Sequence, residues 1–135
     1  MATERLPPDD PREWLNRARS NLARAKADID VPGVYLEDLC FDAQQAAEKA
    51  IKAVLISLNV RFPYVHDLAT LLHLIERSGL ALPQGIKDAD VLTHFAFETR
   101  YPGPEEPVSR EEYKKAVAIA EAVVRWAEER IGKRP

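Results

Sequence analysis

Cys40-Phe41-Asp42-Ala43-Gln44-Gln45-Ala46-Ala47-Glu48-Lys49-Ala50-Ile51-Lys52-Ala53-Val54-Leu55 holds neither proline nor glycine, and its small and apolar residues return at helical spacing. Extended outward to about Val34 and Asn59, it forms the longest expected helix. Leu36, Leu39, Cys40, Ala43, Ala46, Ala47, Ala50, Val54 and Leu58 make the main stripe. The alanines on it permit close approach of neighbouring helices. A second stripe, Phe41, Gln45, Glu48, Lys52 and Leu55, is apolar at its ends and polar in its middle. A helix that buries more than one side belongs at the centre of a bundle. Cys40 lies on the main stripe and reads as a packing residue rather than a nucleophile.

Outward from this segment, proline marks the joints at Pro11, Pro32, Pro63, Pro83 and the Pro102–Pro107 cluster. A first helix is expected from Asp10, with Asp10 as cap, Pro11 at the first position and Glu13 completing a capping box. Its apolar face is Trp14, Leu15, Ala18, Leu22, Ala25 and Ile29. Arg12, Arg17, Arg19, Arg24 and Lys26 crowd its other faces and read as a solvated surface before they read as an RNA stripe. A third helix is expected over Asp67–Ser78, closed by Gly79. A fourth is expected over about Ile86–Thr99, with Val91, Leu92, Phe95 and Ala96 inward. The last begins at Ser109, where Glu112 completes a capping box. No strand pair with hairpin chemistry appears. The fold expected is a single all-α domain, an up-down bundle of about five helices.

The chain has 135 residues, 46% apolar and 30% charged, which suits one globular domain. A net charge of −3 gives no whole-chain basic field to draw in nucleic acid or an anionic membrane. One cysteine permits no intrachain disulfide and no multi-cysteine zinc site. The N-terminus lacks a signal-peptide pattern and no apolar run approaches membrane-spanning length, so a cytoplasmic location without membrane association is expected.

The familiar glycine-rich phosphate loops and H-E-x-x-H are missing, so no cofactor and no metal are expected. His66 and His73 could share a helix face only if the third helix began early. Arg61 and His66 form an R-x4-H pair, the candidate catalytic residues. Arginine could stabilise charge on a scissile phosphate while histidine handles a proton near neutral pH. The plainer reading is a loop arginine and a histidine that bonds locally. His94 and Arg100 make a second pair among Phe95, Phe97 and Tyr101, where aromatics could stack bases or simply form core.

The long segment resembles the F-x-A-Q-Q-A-A-E-K-A-x-K-A string of HEPN domains. His66-Asp67-Leu68 with Leu71-Leu72 is similar to that family's H-D-L-x-x-L-L, and Arg100-Tyr101-Pro102 to its R-Y-P exit. Trp14 and Ala18 also fit, and the matches follow the family's order over most of the chain. The resemblance implies an up-down bundle, a homodimer, and work beside a small nucleotidyltransferase, commonly as toxin and antitoxin. Many members are metal-independent ribonucleases with R-x4-6-H, both protomers sharing one cleft; others bind nucleotides or partners. The family's motif has a polar residue after its arginine and lies in or beside a late helix. Here Phe62 follows Arg61 and the pair precedes the third helix.

The leading expectation is therefore a dimeric HEPN protein that binds a nucleotidyltransferase-type partner, with nucleotide or RNA as ligand. Its cleft would draw on Gln45, Glu48, Lys52, His94 and Arg100. The alternatives are a ribonuclease toxin and a helical adaptor without ligand. The second stripe of the long helix supports the dimer, because buried charges need partners and a two-fold interface would place the same patch on both protomers.

Overall fold

A computed structural model describes residues 4–97, 102 and 107–132, the side chain of Asp28 excepted. Among these residues there are five α-helices and no strand. They are α1 (Pro11–Ala27), α2 (Leu36–Ser57), α3 (Leu68–Arg77), α4 (Gln84–Lys87) and α5 (Arg110–Gly132). Short 3-10 segments follow α1 (Asp28–Asp30) and α4 (Asp88–Ala96).

The caps explain where the helices begin and end. Asp10 accepts the backbone N–H of Arg12 at 2.9 Å, which starts α1 as expected. Glu13 does not close that box. Its carboxylate instead accepts the Leu6 N–H at 3.0 Å and the Arg17 Nε–H at 2.8 Å, tying residues 4–10 back onto α1. At α5 the box is complete: Ser109 Oγ accepts the Glu112 N–H and Glu112 accepts the Ser109 N–H, both at 3.1 Å. Ser109→Ala should therefore cost about 1 kcal/mol in urea denaturation, and an unchanged midpoint would show that the box contributes nothing. α2 ends in a Schellman turn, with Asn59 at φ 58°, the Asn59 N–H on Ile56 and the Val60 N–H on Leu55. Gly79, at φ 101°, closes α3 in the same left-handed conformation.

α2 is the central helix, packed against α1, α5, α3 and the second 3-10 segment. Ala43, Ala46, Ala47, Ala50 and Ala53 are fully buried, so both long neighbours approach closely. Ion pairs set the direction of the neighbours: Arg19–Glu128 at 2.6 Å and Lys26–Glu121 at 2.7 Å run α1 antiparallel to α5. α1 is also antiparallel to α2, because Arg24 reaches Asp42 while Trp14 lies near Lys52. The inner face of α5, including Tyr113, Ala116, Ala120, Val123 and Ala127, is buried as its spacing predicts.

The fourth expected helix is corrected. A single α-turn gives way to 3-10 geometry over Asp88–Ala96. Ala89, Leu92 and Phe95 recur every three residues and are buried, which is the 3-10 period rather than the α period. Val91 falls off that face and is 55% exposed, not inward as expected. Thr99 lies outside the described residues.

Candidate functional site

The basic residues of α1 are paired. Arg12 meets Asp10, Arg17 meets Glu13, Arg19 meets Glu128, Arg24 meets Asp42 and Lys26 meets Glu121. The crowded arginines thus read as a solvated face stitched to carboxylates.

The polar middle of the second α2 stripe behaves otherwise. Glu48 and Lys52 are buried, at 3% and 4% exposure, one turn apart with Nζ 2.9 Å from Oε2. Glu48 Oε1 accepts Gln44 Nε2–H at 3.0 Å and lies 2.9 Å from His66 Nδ1. Gln44, itself fully buried, also donates toward the His66 carbonyl at 3.4 Å and accepts from Gln45 at 2.7 Å. Burial alone would push the Glu48 carboxyl up; hydrogen bonds from Lys52, Gln44 and His66 outweigh it and hold the group below its ordinary value. The Lys52 ammonium faces the rings of Phe62 and Tyr64 at 5.6 Å and Trp14 at 6.0 Å.

These groups, Gln44 and Phe62 apart, line a cavity of about 390 Å³ between α1, α2 and the loop before α3. Gln45, Glu48, Lys49 and Lys52 come from α2, and Trp14 and Arg17 from α1. Tyr64 and His66 join them from the loop before α3, and Leu6 and Pro8 from the segment before α1. The N-terminal strap is held in place by Glu13 and by Trp14 Nε1–H, which donates to the Pro8 carbonyl at 2.7 Å. Tyr64 is 95% exposed at the rim, and the His66 side chain keeps 41% of its surface open. A carboxylate on Nδ1 favours the tautomer that leaves Nε2 as the basic nitrogen.

Of the seven residues singled out by sequence, the structure brings together Gln45, Glu48, Lys52 and His66. Arg61 is exposed and is not among the cavity's lining residues, so it does not join His66 there. His94 is also exposed; its Nδ1 lies 2.9 Å from the Val91 carbonyl and its ring packs on Phe95. It takes no part in the cavity. Arg100 lies outside the described residues. His66 precedes α3 and His73 is exposed on it, so the two do not share a helix face. Among the described residues no cluster of three or more His, Cys, Asp or Glu side chains is placed to hold a metal ion, and no helix is long and apolar enough to cross a membrane. Cys40 is fully buried, and burial pushes its thiol up to about 12, consistent with a packing role.

Sequence reading missed Trp14, Arg17, Lys49 and Tyr64 as cavity residues. Gln45 and Lys49 stand one turn apart on α2, and that register is the signal that could have found Lys49.

An antiparallel bundle of helices with a buried ion pair beneath an aromatic-rimmed cavity defines an all-α class of protein. The HEPN domain family model matches residues 11–131, and the chain belongs to that family. The fold agrees with the crystal structure of an archaeal HEPN homologue, at 23% identity and a TM-score of 0.71, covering 96% of this chain and 99% of that one. No curated protein shows significant similarity to the chain.

Proposed function

We propose that this chain is a ligand-binding HEPN protein that takes a nucleotide or a short stretch of RNA in the cavity between α1 and α2. On this reading it works as a homodimer beside a small nucleotidyltransferase partner, in the manner of a toxin and antitoxin pair. The observation that carries the ligand is the cavity itself: aromatic rings at Trp14 and Tyr64 beside cationic side chains at Arg17, Lys49 and Lys52. Rings offer a stacking surface to any base, and cations suit phosphate. At about 390 Å³ the space is within the range of small-ligand sites. The dimer and the partner rest on family kinship and on the small size of the domain.

Tyr64→Ala tests the ligand cleanly, because a ring 95% exposed adds little to folding. Calorimetric titration should show nucleotide or RNA affinity falling about tenfold, with the melting temperature unchanged. Absence of binding by the wild-type protein at millimolar ligand would end the reading. Light scattering checks the dimer, and copurification after co-expression checks the partner; a monomer mass or no captured nucleotidyltransferase removes the corresponding part.

One observation favours a second reading, a metal-independent ribonuclease. The Glu48–His66 contact arranges an imidazole as a base beside a cation. Arg61 lies outside the cavity, so the arginine half of that mechanism lacks its geometry within one chain. RNA cleavage in chelator that His66→Ala abolishes would establish it; equal cleavage by both proteins would remove His66 from the chemistry.

A further inference from the structure

We infer that Lys49, with Arg17 beside it, forms an oxyanion subsite at the edge of the cavity, built to take the phosphate group of a small ligand. The inference rests on the ligand-binding reading above and assigns a polarity to that site. Three cationic side chains line the cavity, and two have carboxylate partners: Lys52 with Glu48 and Arg17 with Glu13. Lys49 instead donates to the neutral amide oxygen of Asn21 at 2.7 Å.

Asn21 is a fixed anchor. It is buried, and its own Nδ2–H donates to Asp42 Oδ1 at 3.1 Å, an oxygen that Arg24 also approaches at 3.4 Å. The relay from Asp42 through Asn21 holds the Lys49 ammonium in place, with no carboxylate among the described residues bonded to it directly. Burial pushes that ammonium below its ordinary pKa, and the neighbouring Arg17 and Arg24 charges oppose it further, against partial relief from Glu48 and Asp42. Arg17 spends its Nε–H on Glu13 and keeps 59% of its side chain exposed, which leaves the outer edge of the guanidinium open. A dianion between these two groups would give Lys49 a directly bonded counter-charge and accept charge-assisted hydrogen bonds from both. Trp14 and Tyr64 would then flank the remainder of the ligand. The strap of Leu6 and Pro8 covers one side of the cavity, which suits a compact ligand better than a continuous strand.

The test is titration of the common ribonucleosides and their 5′-monophosphates against wild type, Lys49→Met and Lys49→Arg. Each variant is first shown to be folded by circular dichroism. The phosphate should tighten binding to wild type about tenfold or more, Lys49→Met should lose that advantage, and Lys49→Arg should keep most of it. Nucleoside affinity should be the same in all three proteins. Nucleosides that bind as tightly as their monophosphates would overturn the subsite and leave the cavity reading standing. So would a phosphate preference that survives in Lys49→Met. If neither ligand binds, the cavity reading falls and the subsite falls with it. If a short RNA binds in a Lys49-dependent way while monophosphates do not, the assignment to a small ligand is overturned.

Discussion

Glu48→Ala is expected to destabilise the protein by about 3–5 kcal/mol, a fall of roughly 10 °C or more in melting temperature for a domain this size. The Lys52 side chain is 5% exposed and Glu48 is its partner, so truncating the carboxylate strands an ammonium in a dry setting. Gln44, fully buried, loses an acceptor at the same time. The double variant Glu48→Gln/Lys52→Met should recover more than half of the loss, because it removes the charge and keeps an acceptor for Gln44 and His66. A Glu48→Ala protein as stable as wild type would show that the pair is solvated. The pH dependence has a defined sign. A carboxyl held below its ordinary value of 4.5 stabilises the fold at every pH above that value. The contribution is lost as pH falls below 4.5 and through the lowered value of the folded state, so acid should narrow the gap between wild type and Glu48→Gln/Lys52→Met.

This buried pair also shows how far the chain could be read unaided. Spacing placed Gln45, Glu48 and Lys52 on one face of α2, and the structure gathers them at one cavity with His66. Spacing alone could not say which third element would meet that face. The meeting of α1 with α2 depends on contacts between residues far apart in sequence, such as Asn21 with Lys49, and no local pattern encodes them. The helix ends were legible because caps are local chemistry: Asp10, Ser109 with Glu112, and Gly79 all act where their positions predict. Glu13 was misassigned for the converse reason. A glutamate three residues after a cap can also serve a donor further along the chain, and here the strap N–H of Leu6, seven residues away, takes the oxygen that the box would have used. The fourth helix was misread because apolar residues at 92, 95 and 96 satisfy an α period, whereas burial of 89, 92 and 95 satisfies a 3-10 period. His94 followed from the same misreading, since it belongs to an exposed turn closed on its own Val91 carbonyl.

Ile51 and Val91 turn this last point into an experiment. Ile51 belongs to neither stripe read from the sequence, yet it is fully buried and among the largest such side chains in the protein. Between Leu39 and Ser57 only Phe41, Gln45, Lys49 and Ile56 keep appreciable exposure, a narrow strip on a helix otherwise covered on every side. A helix buried nearly all round gives periodicity little contrast to report, so a stripe-based reading undercounts its core. α3 and the second 3-10 segment pack on α2 in addition to its two long neighbours, and no rearrangement of a single flanking helix could fill the space that a truncated Ile51 would leave. Ile51→Ala is therefore expected to cost about 2–5 kcal/mol, from lost burial and a cavity that only partly collapses. Val91, assigned to the core by spacing but 55% exposed, should tolerate alanine within about 0.5 kcal/mol. Chemical denaturation of the two variants decides between the packing and the pattern. If Val91→Ala proves the costlier change, the 3-10 register of Asp88–Ala96 is wrong and that segment winds as the α-helix its spacing suggested.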